Sequence, residues 1–152
     1  AQLYASFIDS KHNNTFGMTA FGSYGFFWLG VAMTWLIQTG AFGENLKAAA
    51  DPKQLGMAFL GYLIFTIFMT VGATQTHKVL FGIFFLIDLL FLGLTLSSFN
   101  IMYEFSHALA AWSELAIALL SFYGSAAALL NTHFGMVILP VGKPMNLFVN
   151  KK

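Results

Sequence analysis

The chain has 152 residues, of which 58% are hydrophobic and 9% are charged, and its formal net charge is +1. Soluble domains usually carry about 25% charged residues, so this composition argues against one, and the small net charge gives no reason to expect nucleic-acid binding. The chain contains no Cys and no Arg, which argues against disulfide frameworks, thiolate metal sites and guanidinium forks for phosphate.

The chain opens on residues 1–8, which resemble the last turns of a helix that has already begun. It starts at Ala1 without Met, and these residues lack the basic region and cleavage site of a signal peptide. We therefore expect an N-terminally truncated sequence whose parent has at least one more helix upstream.

Four later segments carry at most one charge each and have the length of membrane-spanning helices, since a bilayer core needs about 20 apolar residues. In chain order they cover residues 17–38, 54–76, 79–99 and 105–130, followed by a tail, 131–152. Their frequent glycines suit packed membrane helices better than soluble ones. We predict an all-α, polytopic membrane helix bundle with four complete transmembrane helices and the end of another.

The start of the segment 17–38 carries two candidate polar residues, Asn14 and Thr15, and either is a good helix N-cap. A helix start at a membrane surface also attracts anions through its free N–H groups and its dipole. Simple capping and an anion vestibule are both open interpretations of these two residues.

Two carboxylates, Asp88 and Glu114, each lie about ten residues into a spanning segment, which places both near the bilayer midplane. A charged carboxylate alone at that depth costs several kcal/mol. We consider both residues candidates for a proton-responsive site. The alternative is a neutral carboxylic acid hydrogen-bonded to a neighbouring helix.

The last spanning segment carries a stripe of small and polar residues on one face, because its members recur at three- and four-residue spacing. The stripe consists of Glu114, Ala118, Ser121, Ser125 and Ala128. Tight helix packing and the wall of a narrow pore both explain such a stripe.

Lysines outside the spanning segments divide unequally between the two sides of the membrane. Five lie on the side of the tail (Lys11, Lys78, Lys143, Lys151 and Lys152), and two lie on the other side (Lys47 and Lys53). The positive-inside rule then predicts a cytoplasmic C-terminus. The four His residues form no metal or haem site, and no catalytic motif is present, so we predict neither an enzyme nor a bound cofactor.

Three stretches resemble the acetate uptake transporter family, the succinate–acetate permeases of the SatP/YaaH type, which are distantly related to fungal ammonia/acetate exporters. They are residues 14–28 (NTFGMTAFGSYGFFW), residues 78–85 (KVLFGIFF) and residues 131–142 (NTHFGMVILPVG). The resemblance implies a six-helix parent in the plasma (inner) membrane, with cytoplasmic termini. It also implies a ring-shaped homo-hexamer with a path for small monocarboxylates through each protomer.

The resemblance also implies a narrow apolar constriction, built by an aromatic residue of the first helix, a Tyr of the third and an aliphatic residue of the fifth. Tyr24 matches the second of these and Ile87 the third, whereas the first has no counterpart in this chain. Ser121 aligns with a small residue near the pore. Helical spacing adds path-lining neighbours on the faces of Tyr24 and Ile87, namely Phe21, Trp28 and Phe84.

We predict that residues 1–152 form a single transmembrane transport domain, a transporter or channel for acetate and other small monocarboxylates, with succinate and proton coupling as further expectations. Its expected partners are these acids, the lipid bilayer and other copies of the chain. The alternative is a non-transporting membrane subunit that anchors or assembles a larger complex. The sequence is compatible with three modes of transport: proton symport, channel-like diffusion and export.

Overall fold

The computed structural model describes residues 1–148, except for the side chain of Pro52. Residues 149–152, which include Lys151 and Lys152 of the predicted tail, lie outside the described residues. The described chain forms the helices α1 (Gln2–Lys11), α2 (Thr15–Gln38), α3 (Glu44–Ala49), α4 (Pro52–Ala73), α5 (Lys78–Ser98) and α6 (Tyr103–Phe134).

Four of these helices, α2, α4, α5 and α6, are long and apolar enough to cross a membrane. The chain contains no strand between residues 1 and 148. The short α1 corresponds to the helix end predicted for residues 1–8 and continues to Lys11. The predicted fold class, an all-α membrane helix bundle, is therefore confirmed.

Helices α4 and α6 end three and four residues away from the predicted positions. Helix α4 ends at Ala73 instead of residue 76, and the hydroxyls of Thr74 and Thr76 donate back to its last carbonyl groups. Helix α6 continues to Phe134, four residues beyond the predicted end. It stops there because Gly135 adopts the left-handed conformation, with φ of 64°, which is the common way to end a helix.

The chain divides into two compact units, Ala1–Leu55 and Gly56–Lys152. In the first unit, α1 packs against α2 as an antiparallel pair. Ser6 Oγ donates to the carbonyl oxygen of Met18 at 2.8 Å, and the side chain of Leu3 packs against Gly25. The short α3 lies in the following loop, where Lys47 and Glu44 form an exposed ion pair at 3.2 Å.

In the second unit, α4 packs against α5 through aromatic side chains. Phe91 of α5 is almost fully buried, and its ring lies 6.3 Å from that of Phe59 and 5.8 Å from that of Tyr62, centroid to centroid. Farther along, Gly56 is buried against Ser98. These contacts make α4 and α5 an antiparallel pair.

Helices α5 and α6 approach closely at Gly93. A Cβ at this position would lie 2.6 Å from the carbonyl oxygen of Ser106 and 2.8 Å from the backbone nitrogen of Ala110. Only glycine fits between two helix backbones at that distance, as in other close membrane helix pairs. Ser106, Ala110 and Ser113 are buried on the facing side of α6.

The segment after α6, which we call the C-terminal segment (residues 136–148), is bonded to all three helices of the second unit. Tyr123 of α6 donates its hydroxyl to the carbonyl oxygen of Pro140 at 2.7 Å. The N–H of Val79 in α5 donates to Val141 O, and the N–H of Met145 donates to Thr74 O, at the end of α4. The segment therefore ties one end of this unit together.

Candidate substrate path

Tyr24 lies in the first unit, on the buried side of α2, with 9% of its surface exposed. The other buried residues of this side lie four or seven positions from Tyr24, about one or two helical turns, and they are Gly17, Ala20 and Val31. Tyr24 is thus a phenol within an uncharged helix, and it offers both an aromatic ring and a hydroxyl group.

Phe21 and Trp28 lie beside Tyr24 on the helical wheel, but both are more exposed. Their exposed fractions are 40% and 51%. Trp28 makes an edge contact with Phe27 at 5.3 Å and lines an open cleft of about 340 Å³ together with Leu3 and Gly25. Both residues remain predicted path-lining neighbours.

Asn14 is the N-cap of α2, and its Oδ1 accepts a hydrogen bond from the backbone N–H of Gly17 at 3.1 Å. Thr15 is the first residue of the helix and is exposed. The carboxylate of Asp9 lies against Gly17, within the first turn of α2. Capping is therefore observed, and a carboxylate already complements this helix start, whereas an anion vestibule stays a prediction.

Ile87 lies in the second unit, on α5, and is half-buried. Phe84, three residues earlier on the same side of the helix, is 5% exposed. Of the two predicted constriction residues, Tyr24 thus belongs to the first unit and Ile87 to the second.

Asp88 follows Ile87 and faces α4. The hydroxyl of Thr70 donates to Asp88 Oδ2 at 2.7 Å, which joins the two helices inside the apolar part of the unit. The other carboxyl oxygen, Oδ1, is buried and has no hydrogen-bond partner among the described residues. Among residues 1–148, Asp88 therefore accepts a hydrogen bond at Oδ2 and none at Oδ1.

Glu114 has different surroundings, because it is exposed on α6. In the described part of the chain it shares no hydrogen bond or ion pair with Asp88. Of its predicted stripe, Ala118, Ser125 and Ala128 are exposed and Ser121 is half-buried. The α6 residues found against Gly82 and Gly93 of α5 are Leu120, Ser106 and Ala110, and none of them belongs to this stripe.

The sequence prediction missed a row of hydroxyl groups on α4. Tyr62, Thr66 and Thr70 recur every four residues on one side of α4, and Thr74 continues the spacing directly after the helix end. Thr66 is fully buried and Thr74 is 5% exposed. The four-residue spacing of hydroxyl residues in an apolar segment was the signal that could have revealed this row and the partner of Asp88.

Between residues 1 and 148, no group of three or more His, Asp or Glu side chains is arranged to hold a metal ion. Tyr24 is a buried phenol on α2 of the first unit, and Ile87 is a half-buried aliphatic residue on α5 of the second unit.

Comparison with known proteins gives relatives along nearly the whole chain. The succinate-acetate/proton symporter SatP of Escherichia coli strain K12 is 33% identical over 143 residues, which are 94% of this chain and 73% of the symporter. Acetate permease A of Emericella nidulans is 34% identical over 96 residues, which are 60% of this chain and 32% of the permease.

A solved structure of the bacterial acetate channel SatP has the same fold, with a TM-score of 0.83 and 31% sequence identity. The superposition covers 93% of this chain and 75% of the channel. The family profile described as GPR1/FUN34/yaaH matches residues 1–145. The chain therefore belongs to the GPR1/FUN34/yaaH family.

Proposed function

We propose that this protein transports acetate and other small monocarboxylates across a membrane, with succinate as a further substrate. The observation that carries the proposal is the likeness to a bacterial acetate channel at a TM-score of 0.83 over 93% of the chain. A succinate-acetate/proton symporter with 33% identity supports the same substrate class.

The chemistry of Tyr24 and Ile87 is consistent with this substrate class. Acetate has one carboxylate and one methyl group, so its path needs a hydrogen-bond donor and an apolar wall. We assign Tyr24 to the first role and Ile87 to the second, with Phe21, Trp28, Phe84 and Ser121 as further lining residues. A narrow apolar neck rejects larger or more hydrated anions, because it removes water without replacing all of its hydrogen bonds.

The experiment that tests this proposal is the uptake of labelled acetate into liposomes that contain the purified protein, corrected for protein-free liposomes. We expect the uptake of labelled acetate to be saturable and to be inhibited competitively by other short carboxylic acids. Tyr24→Phe, which removes only the hydroxyl, should lower it roughly tenfold, the size expected for a lost hydrogen bond to a charged group.

The matched control is Tyr4→Phe, which makes the same change at a side chain of α1 that is 71% exposed. It should keep the uptake of the unmodified protein. Absence of uptake above protein-free liposomes, from protein that elutes as a folded species, would instead favour a non-transporting anchoring subunit.

We also propose a plasma (inner) membrane location with a cytoplasmic C-terminus, and assembly into a homo-oligomer, a hexamer by family resemblance. The five-to-two distribution of Lys residues supports the orientation. A C-terminal reporter that is active only in the cytoplasm tests the first point, and native mass spectrometry of the protein in detergent tests the second.

A further inference from the structure

The hydrogen bond between Thr70 and Asp88 is unusual for a threonine inside a helix. Such hydroxyls commonly donate to a carbonyl of their own helix, as Thr66 does to Tyr62 O at 2.7 Å. Thr70 instead donates across the helix pair to Asp88 Oδ2 at 2.7 Å. Its hydroxyl therefore fixes the orientation of the carboxyl group.

The two oxygens of Asp88 consequently differ. Oδ2 accepts the hydroxyl of Thr70, whereas Oδ1 is buried and has no partner among residues 1–148. Asp88 lies ten residues after Lys78, about 15 Å along α5 and near the middle of the helix. An unpaired negative charge at this depth is costly in free energy. Protonation of Oδ1 removes that charge, so Oδ1 is the atom at which a bound proton stabilises the helix pair most.

No fixed cation compensates Asp88 within the described helix pair. The other titratable side chains of α4 and α5 are Lys53 and Lys78, at helix ends, and Tyr62, about 12 Å from Thr70 along α4. Helix α6 packs on a different side of α5, at Gly82 and Gly93. Its one intramembrane carboxylate, Glu114, is exposed. With no cationic side chain beside it in the described helix pair, the carboxylate of Asp88 is neutralised by a bound proton.

We propose that Asp88, positioned by Thr70, is the residue that carries the proton during transport, an inference that rests on the proposed function. Asp88 is the residue next to Ile87, the predicted aliphatic part of the constriction. An ionised Asp88 would repel a carboxylate substrate there, and a proton on Oδ1 removes that repulsion. A proton reaches Oδ1 from one side of the membrane and departs to the other side, and the O–H bond is the one covalent bond that forms and breaks.

The test is the pH profile of labelled acetate uptake between about pH 5 and about pH 8, at fixed internal pH. Asp88→Asn should lose the pH dependence that the unmodified protein shows. Thr70→Val keeps the shape of the side chain but removes the donor, which had favoured the ionised carboxylate. It should move the midpoint of the profile to higher pH by about one unit, and Thr70→Ser should restore it.

The matched control is Thr66→Val, one turn earlier on α4, where the lost hydroxyl was bonded to its own helix. It should keep the original midpoint, which separates the role of Thr70 from a general effect of removing a buried hydroxyl. If Asp88→Asn does not fold, the Thr70 variants decide the question.

An unchanged pH profile in Asp88→Asn, or equal midpoints in Thr70→Val and the unmodified protein, overturns the assignment of Asp88. It leaves the proposed function standing, because the unmodified protein still transports acetate. The proposed function itself fails only when the unmodified protein shows no saturable uptake, so the two failures are distinguishable.

Discussion

The side-chain amide of Asn131 and the main chain of Leu139 are joined by two hydrogen bonds. Asn131 Nδ2 donates to Leu139 O at 2.9 Å, and the N–H of Leu139 donates to Asn131 Oδ1 at 3.0 Å. The same oxygen accepts the N–H of Ile138 at 2.8 Å. One side chain near the end of α6 thus satisfies three backbone groups of the C-terminal segment.

Replacing Asn131 should release this segment. Asn131→Leu keeps the approximate volume but removes all three hydrogen bonds, each of which contributes about 1 kcal/mol net. We expect a loss of about 2 to 3 kcal/mol in the free energy of unfolding, measured by denaturation in detergent. Thr132→Ala, at the exposed neighbouring position, should change the free energy of unfolding little. Equal stability of the two variants would contradict this role of Asn131.

His77 should make the start of α5 sensitive to acid. Its Nδ1 accepts the backbone N–H of Leu80 at 3.1 Å, so this nitrogen carries no proton. Burial lowers the pKa of His77 below its ordinary value of 6.5, and the positive end of the helix dipole acts in the same direction. The unfolded chain therefore binds a proton at this residue at higher pH than the folded protein.

It follows that the contribution of His77 to stability is present above about pH 6.5 and is lost as the pH falls through the lowered pKa of the folded protein. His77→Asn keeps a capping side chain that does not titrate. Between neutral and acidic pH, the free energy of unfolding should fall by about 1 kcal/mol more in the unmodified protein than in this variant. Thermal unfolding of both proteins at the two pH values measures the difference, and parallel losses would contradict the capping role.

Gly93 should tolerate no side chain. In Gly93→Ala, the added methyl group meets the backbone of Ser106 and Ala110, which cannot move as a flexible side chain could. We expect a loss of about 1 to 3 kcal/mol in the free energy of unfolding, the usual effect of overpacking. Gly61→Ala on α4 is the control, since its added methyl group meets no atom within 4 Å. Because Ala has a higher helix propensity than Gly, Gly61→Ala should not lose stability. Equal changes in the free energy of unfolding of the two variants would contradict the close approach at Gly93.

Ile87→Ala should widen the range of transported acids. Removing the branched side chain enlarges the predicted constriction. The ratio of the uptake of lactate-sized acids to that of acetate should therefore rise by about tenfold, the size expected when a hydrophobic pocket loses a few methylene groups. Ile64→Ala, at an exposed position of α4, makes the same chemical change outside the predicted path. Uptake assays with both labelled acids give the ratio, and an unaltered ratio would count against Ile87 as a constriction residue.

The sequence by itself determined the fold class, because its long apolar segments admit only helices where the backbone must satisfy its own hydrogen bonds in lipid. It also determined that Asn14 or Thr15 caps α2, since capping depends on residue type and local spacing. The family followed from motifs that are continuous in the chain, around Tyr24 and at residues 131–142. These features all depend on interactions between residues close together in the chain.

Only the tertiary structure decided how distant residues pair. Asp88 and Glu114 are alike in the sequence, as single carboxylates in apolar segments, yet Asp88 bonds to Thr70 while Glu114 is exposed. The attachment of Leu139 to Asn131 depends equally on three-dimensional contacts. The physical reason is that hydropathy reports how apolar a segment is, whereas the direction of each side chain depends on which helix packs against it.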